Sequence, residues 1–106
     1  MQLEACVANC TICHQVCLDT VARAHPDPLP PTVLRLLIDC AQICQTSAGF
    51  LSRRSPFFSL ACAVSAEICA ECATVCEGLD GESMEACVDI CRRCAESCRQ
   101  MALEFA

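Results

Sequence analysis

Hydrophobic positions along this chain return every three or four residues and never alternate with the period of two that marks a strand. Four stretches carry the pattern, at about 3–24, 32–53, 57–77 and 82–105. Breakers separate them. His25-Pro26-Asp27-Pro28-Leu29-Pro30-Pro31 holds four prolines, each of which would remove a helix hydrogen bond and clash with the preceding turn. Arg54-Ser55-Pro56 offers Ser55 as an N-cap and Pro56 at the first helical position. Gly78-Leu79-Asp80-Gly81 offers Gly78 as a C-cap, and Glu82 and Glu85 then suit the start of the next helix. Helices of ~20 residues span ~30 Å, and short connections make neighbours antiparallel. The pattern predicts an all-α fold, an antiparallel up-down-up-down four-helix bundle forming one domain over residues 1–106. Gly49 interrupts the second stretch at a cost of up to ~1 kcal/mol against alanine. Close approach of a neighbouring helix would account for it.

The residue that fills the apolar seam is cysteine. The first stretch places Cys6, Cys10, Cys13 and Cys17, spaced 4, 3, 4, and the fourth repeats this spacing at Cys87, Cys91, Cys94 and Cys98. The third has Cys62, Cys69, Cys72 and Cys76, and the second has Cys40 and Cys44. This is the a/d spacing of a bundle helix, so the fourteen cysteines stand where Leu and Ile usually pack. Packing alone does not explain them, because Leu at these sites would bury far more apolar surface. Disulfides within a helix are disfavoured: i and i+4 Cβ atoms lie ~5–6 Å apart, and a disulfide needs ~3.5–4.5 Å. Disulfides between helices remain open.

Metal binding suits the spacing better. Two sulfurs sharing one ion sit about two metal–sulfur bonds of ~2.3 Å apart. The sequence has six i, i+4 pairs that meet this: Cys6/Cys10, Cys13/Cys17, Cys40/Cys44, Cys72/Cys76, Cys87/Cys91 and Cys94/Cys98. Soft thiolates select Cu(I), zinc or iron–sulfur clusters. Charge helps to choose among them, since a buried core carries little uncompensated charge. Zinc at about four thiolates per ion would use twelve of the fourteen cysteines in three sites, each left near −2. Cu(I) on bridging thiolates, near one ion per sulfur, leaves the core close to neutral. Copper capacity is therefore expected nearer fourteen than seven. Iron–sulfur binding fits least, because no C-x2-C-x2-C run occurs. The C-x-x-C pairs lack the strand context of thioredoxin chemistry.

Composition narrows the class further. The net charge is −6, and all seven basic residues are Arg, which leaves no basic stripe for nucleic acid. Residues 1–6 show no basic region or apolar signal core. No uninterrupted apolar run reaches ~18 residues, so no membrane span is expected. These features imply a cytoplasmic protein whose thiols stay reduced.

The helix ends differ in character. One end gathers Leu3, Leu51, Phe57, Phe58, Met101 and Phe105, an apolar plug. The other gathers Val21, Val33, Leu37, Cys76, Met84 and Cys87, with His25 in the nearby loop. Soft ligands near solvent mark this second end as the place where copper enters, with Met84 and His25 as candidates. His14 lies one step off the seam, beside Cys13, and is assigned to the rim. Ser47 and Ser65 occupy seam positions without a thiol and are expected to lower capacity locally.

Over its whole length the chain resembles the bacterial copper storage proteins, in particular the cytosolic branch. The resemblance rests on Cys-x3-Cys-x2-Cys-x3-Cys at Cys6–Cys17, its repeat at Cys87–Cys98 and the Ser-Pro-Phe turn at Ser55–Phe57. It implies a homotetramer of four-helix bundles, several Cu(I) ions per chain, and storage rather than catalysis. The chain departs from that family in having fewer cysteines than many members. It also has Leu79-Asp80-Gly81-Glu82-Ser83-Met84 where some members carry a His-rich stretch, so Met84 stands in for histidine there. A zinc or cadmium sequestration protein, a thiol redox protein and a purely structural helical module are the rival readings.

Overall fold

A computed structural model describes residues 2–24 and 28–104. Four helices follow in order: α1 (Gln2–Ala22), α2 (Pro31–Ser52), α3 (Phe58–Cys76) and α4 (Glu82–Glu104). Each packs against its neighbours in the chain, and α4 closes the ring against α1. The result is an elongated antiparallel bundle with extents of 43 × 22 × 19 Å. The predicted boundaries hold to within one or two residues at most ends.

The capping chemistry differs from the sequence expectation in several places. Pro31 opens α2, where a missing N–H is harmless because no intrahelical acceptor exists for it. Ser55 and Pro56 do not start α3. Ser55 lies in the turn before it, where its Oγ accepts a hydrogen bond from the Phe57 N–H at 3.1 Å and the helix begins at Phe58. Gly78 does not take the left-handed conformation. That role falls to Gly81, with φ +119°, whose carbonyl accepts the Met84 and Glu85 N–H groups at 3.1 Å each.

The end of α2 carries a left-handed non-glycine residue, Arg54 (φ 51°). The Ser55 N–H reaches the Phe50 carbonyl at 2.9 Å, and the Arg54 N–H reaches that of Leu51 at 3.1 Å. This pair of bonds is the Schellman arrangement that usually recruits glycine. Gly49, one turn earlier, does not serve helix approach. A Cβ there would meet only the Arg53 guanidinium, at 3.1 Å, and that guanidinium lies over the Phe50 ring, 5.0 Å from its centroid.

The helices hold together through small side chains rather than large ones. Cysteine and alanine dominate the core, and Leu37, Leu51 and Met101 are its largest fully buried members. By length and composition alone α3 is apolar enough to cross a membrane, with a mean hydropathy of 1.5, although Glu67 and Glu71 interrupt its apolar run. Cysteine and alanine raise that value, and they face the core: Cys62, Cys69, Cys72 and Cys76 are buried with Ala61, Ala66 and Ala73. Glu67 and Glu71 lie exposed on the same helix.

Candidate metal centre

Every cysteine is fully buried, at 0% exposure, and all fourteen are free thiols. Disulfides are therefore absent, including those between helices that the spacing left open. The sulfurs form a connected path along the bundle axis. It runs from Cys6 to Cys98 (3.7 Å) and Cys10 (3.5 Å), and on through Cys94 (3.6 Å) to Cys44 (3.8 Å). From Cys44 it passes to Cys69 (3.5 Å), Cys40 (3.6 Å) and Cys13 (3.8 Å), and then to Cys91 (3.8 Å) and Cys87 (3.9 Å).

Most of these steps cross between helices, adding contacts that the i, i+4 pairs along single helices do not include. Among the six i, i+4 pairs, only Cys13/Cys17, Cys87/Cys91 and Cys94/Cys98 have Sγ atoms in hydrogen-bonding contact, at 4.0, 3.9 and 3.9 Å. Antiparallel neighbours supply the shorter contacts, because opposite seam positions face each other at one level. Three sets of four thiols gather with all Sγ atoms within 4.8 Å of one another: Cys13/Cys40/Cys44/Cys69, Cys13/Cys17/Cys40/Cys91 and Cys17/Cys72/Cys87/Cys91. Cys6, Cys10 and Cys98 form a set of three by the same measure. Cys62 and Cys76 terminate the array at its two ends.

The serines on the seam behave differently from each other. Ser65 joins the array, with its Oγ 3.5 Å from Cys98, 3.8 Å from Cys69 and 3.9 Å from Cys44. Ser47 turns away and donates to the Ala61 carbonyl at 3.2 Å. Neither hydroxyl is left without a partner, so each is stable in a dry core.

The array's electrostatics follow from its burial. Hydrogen bonding to neighbouring sulfurs and burial hold thiols protonated in the middle of the array, as at Cys10 and Cys13, and at its ends. Cys76 is pushed up to about 12 by the Cys72 thiol and by burial. Cys62 also goes up, through Cys6, Cys98 and burial. Cys98 goes the other way, because the Cys10 and Cys6 thiols donate toward it. A thiolate can persist inside such a network only where neighbours remain protonated. Ionising the whole array needs cations to replace the protons.

The remaining predicted residues divide clearly. His14 is half-buried, and its Nδ1 donates to the Ala41 carbonyl at 2.7 Å. It ties α1 to α2 and belongs to the rim, as the sequence suggested. Met84 is 7% exposed and lines two neighbouring cavities. One, of about 220 Å³, also touches Cys76, Leu79 and Val88. The other, of about 260 Å³, touches Thr20, Leu29 and Gly81. His25 lies outside the described residues, as does Phe105. At the opposite end Leu51 and Met101 are buried, and Leu3 and Phe58 are partly buried against the core. Phe57 is 59% exposed and takes no part in the plug, because α3 starts one residue later and turns its ring outward. Sequence reasoning missed Thr20, buried with its hydroxyl donating to the Val16 carbonyl at 2.7 Å; its place one turn beyond Cys17 is the only signal the sequence offers.

Residues 1–103 match the sequence profile of a family described as copper storage protein. The chain belongs to the copper storage protein family. Solved structures agree in fold and sequence. The Nmul_A1745 protein of Nitrosospira multiformis is 44% identical, with a TM-score of 0.90 over 97% of this chain and 96% of its own. Apo copper storage protein 3 from Bacillus subtilis is 35% identical, with a TM-score of 0.83 over 93% and 97%. A Cu(I)-bound copper storage protein, BsCsp3, is 32% identical, with a TM-score of 0.90 over 96% and 99%. Copper storage, with several Cu(I) ions held by a cysteine-lined bundle, is the function that membership of this family carries.

Proposed function

We propose that all fourteen cysteines ligate Cu(I), most of them bridging two ions, so that the chain fills along its full axis. The observation that carries this is the unbroken path of sulfurs, 3.5–3.9 Å apart at each step, from Cys6 to Cys87. Thiolates this close repel one another unless cations sit between them. One Cu(I) per thiolate neutralises the array and removes the penalty of burying charge. Copper enters at the Met84 end, where a thioether lines two cavities and Cys76 lines one of them with it.

The protein catalyses no reaction. A redox thiol must reach its substrate, and here each cysteine is sealed from solvent. It works in the cytoplasm, where a reducing environment keeps the empty array as thiols. The chain forms one domain over residues 1–106 and assembles as a homotetramer, consistent with the family pattern and with the exposed Leu60 and Val64 of α3.

An anaerobic titration of the reduced protein with Cu(I), against a chromophoric competitor, tests the ligand set. Saturation above ten ions per chain supports it. Saturation near seven with the fold intact refutes bridging along the whole array.

A further inference from the structure

The thiols gather in sets of four whose grouping suits a different coordination chemistry. Cys13, Cys40, Cys44 and Cys69 form one set of four, drawn from α1, α2 and α3. Cys17, Cys72, Cys87 and Cys91 form another, drawn from α1, α3 and α4. The two sets share no residue. Metal–sulfur bonds of ~2.3 Å place the sulfurs of a tetrahedral site ~3.8 Å apart and those of a linear site ~4.6 Å apart. Within the first set Cys13–Cys40, Cys40–Cys69 and Cys44–Cys69 measure 3.8, 3.6 and 3.5 Å. Within the second, Cys17–Cys91 and Cys87–Cys91 each measure 3.9 Å. These five contacts fall near the tetrahedral spacing, and every sulfur of each set lies within 4.8 Å of the others, so each set can close around one ion; four thiolates about one centre select closed-shell divalent ions, zinc and cadmium.

We propose that the copper-free core binds two divalent soft cations per chain, one in each of these disjoint sets. A third set, Cys13/Cys17/Cys40/Cys91, takes thiols from both, so occupying it excludes the pair, and two ions are the larger filling. The six other cysteines remain protonated. Each divalent site keeps a charge of about −2 in a buried place, whereas Cu(I) at one ion per thiolate leaves none. The divalent state is therefore confined to copper-free protein and yields to Cu(I). This assigns the empty store a second cargo class that the copper reading does not require.

The test is an anaerobic titration of reduced, copper-free protein with Cd2+, followed by thiolate-to-cadmium charge-transfer absorbance. The absence of Trp and Tyr leaves that region of the spectrum clear. The expected result is a linear rise with a break at two ions per chain and cadmium NMR signals of all-sulfur, four-coordinate sites. Cys44→Ser and Cys72→Ser each strike one set only. Each should lower the break to one ion while circular dichroism shows the bundle intact. A break at one ion in the unsubstituted protein would show that the shared set wins, and would overturn the proposal. So would the lack of a break, a break at three or more, or two ions retained by either variant. A chain that takes up Cu(I) in number but fails the cadmium test loses this inference alone. A chain that fails the Cu(I) titration loses the copper ligand set instead.

Discussion

The Sγ atoms of Cys10 and Cys98, 88 residues apart in the chain, lie 3.5 Å from each other. One sits on α1 and the other on α4, and their contact closes the bundle at the level where Ser65 also meets Cys98. A metal at this level would be shared by helices from the two ends of the sequence. Loading and folding are thus linked, because ions bound only by the assembled bundle stabilise it.

Ser65 is the first place to test that linkage. Its hydroxyl already occupies a thiol position, within 3.9 Å of Cys44, Cys69 and Cys98. Ser65→Cys should raise Cu(I) capacity by about one ion per chain, since each added thiolate admits one further cation at neutral charge. Side-by-side anaerobic titrations, normalised by thiol count, would check this. An unchanged or lower capacity in the folded variant would contradict one ion per thiolate.

Met84 separates rate from capacity. It lies at the cavity end and not on the sulfur path. Met84→Leu keeps the apolar volume but removes the thioether, a change that costs a core less than ~1.5 kcal/mol. Stopped-flow transfer from a Cu(I) donor should slow several-fold, while the saturating count stays the same. Equal transfer rates would remove Met84 from the uptake route.

Alkaline pH should weaken the copper-free bundle. Folded Cys76 keeps its proton up to about 12, against 9.0 for an ordinary thiol. Between those values the unfolded chain sheds a proton that the folded chain retains, so rising pH favours unfolding. The stabilisation is complete below about 9 and is lost as pH climbs toward 12. Cys62 acts in the same direction. Cys98, held down by its neighbours, is ionised in both states above an ordinary thiol's range and adds no slope there. Thermal midpoints of reduced, metal-free protein should fall across this window. A flat or rising profile would be the contrary result.

Arg54 carries a left-handed backbone that disfavours any residue with a Cβ, by roughly 1–2 kcal/mol. Its side chain is exposed, so nothing in the core depends on it. Arg54→Gly should raise the unfolding free energy of the copper-free protein by about 1 kcal/mol. Chemical denaturation with unchanged m-value would register the gain, and a loss would mean that the guanidinium matters more than the backbone.

The sequence by itself determined the number of helices, their approximate limits and the identity of the residues on the core face. Those features are local: prolines and glycines interrupt hydrogen bonding wherever they fall, and cysteine spaced 4, 3, 4 lines one side of any helix. Tertiary structure alone decided which thiols meet. The sequence grouped them along single helices, whereas the bundle groups them across helices, as Cys10 with Cys98 and Cys44 with Cys69. It also decided that Ser65 faces the sulfurs while Ser47 turns to the Ala61 carbonyl, and that Gly81 rather than Gly78 takes the positive φ. Each of these depends on how antiparallel helices align in height. Side-chain contacts between distant segments set that alignment, and no local pattern records it.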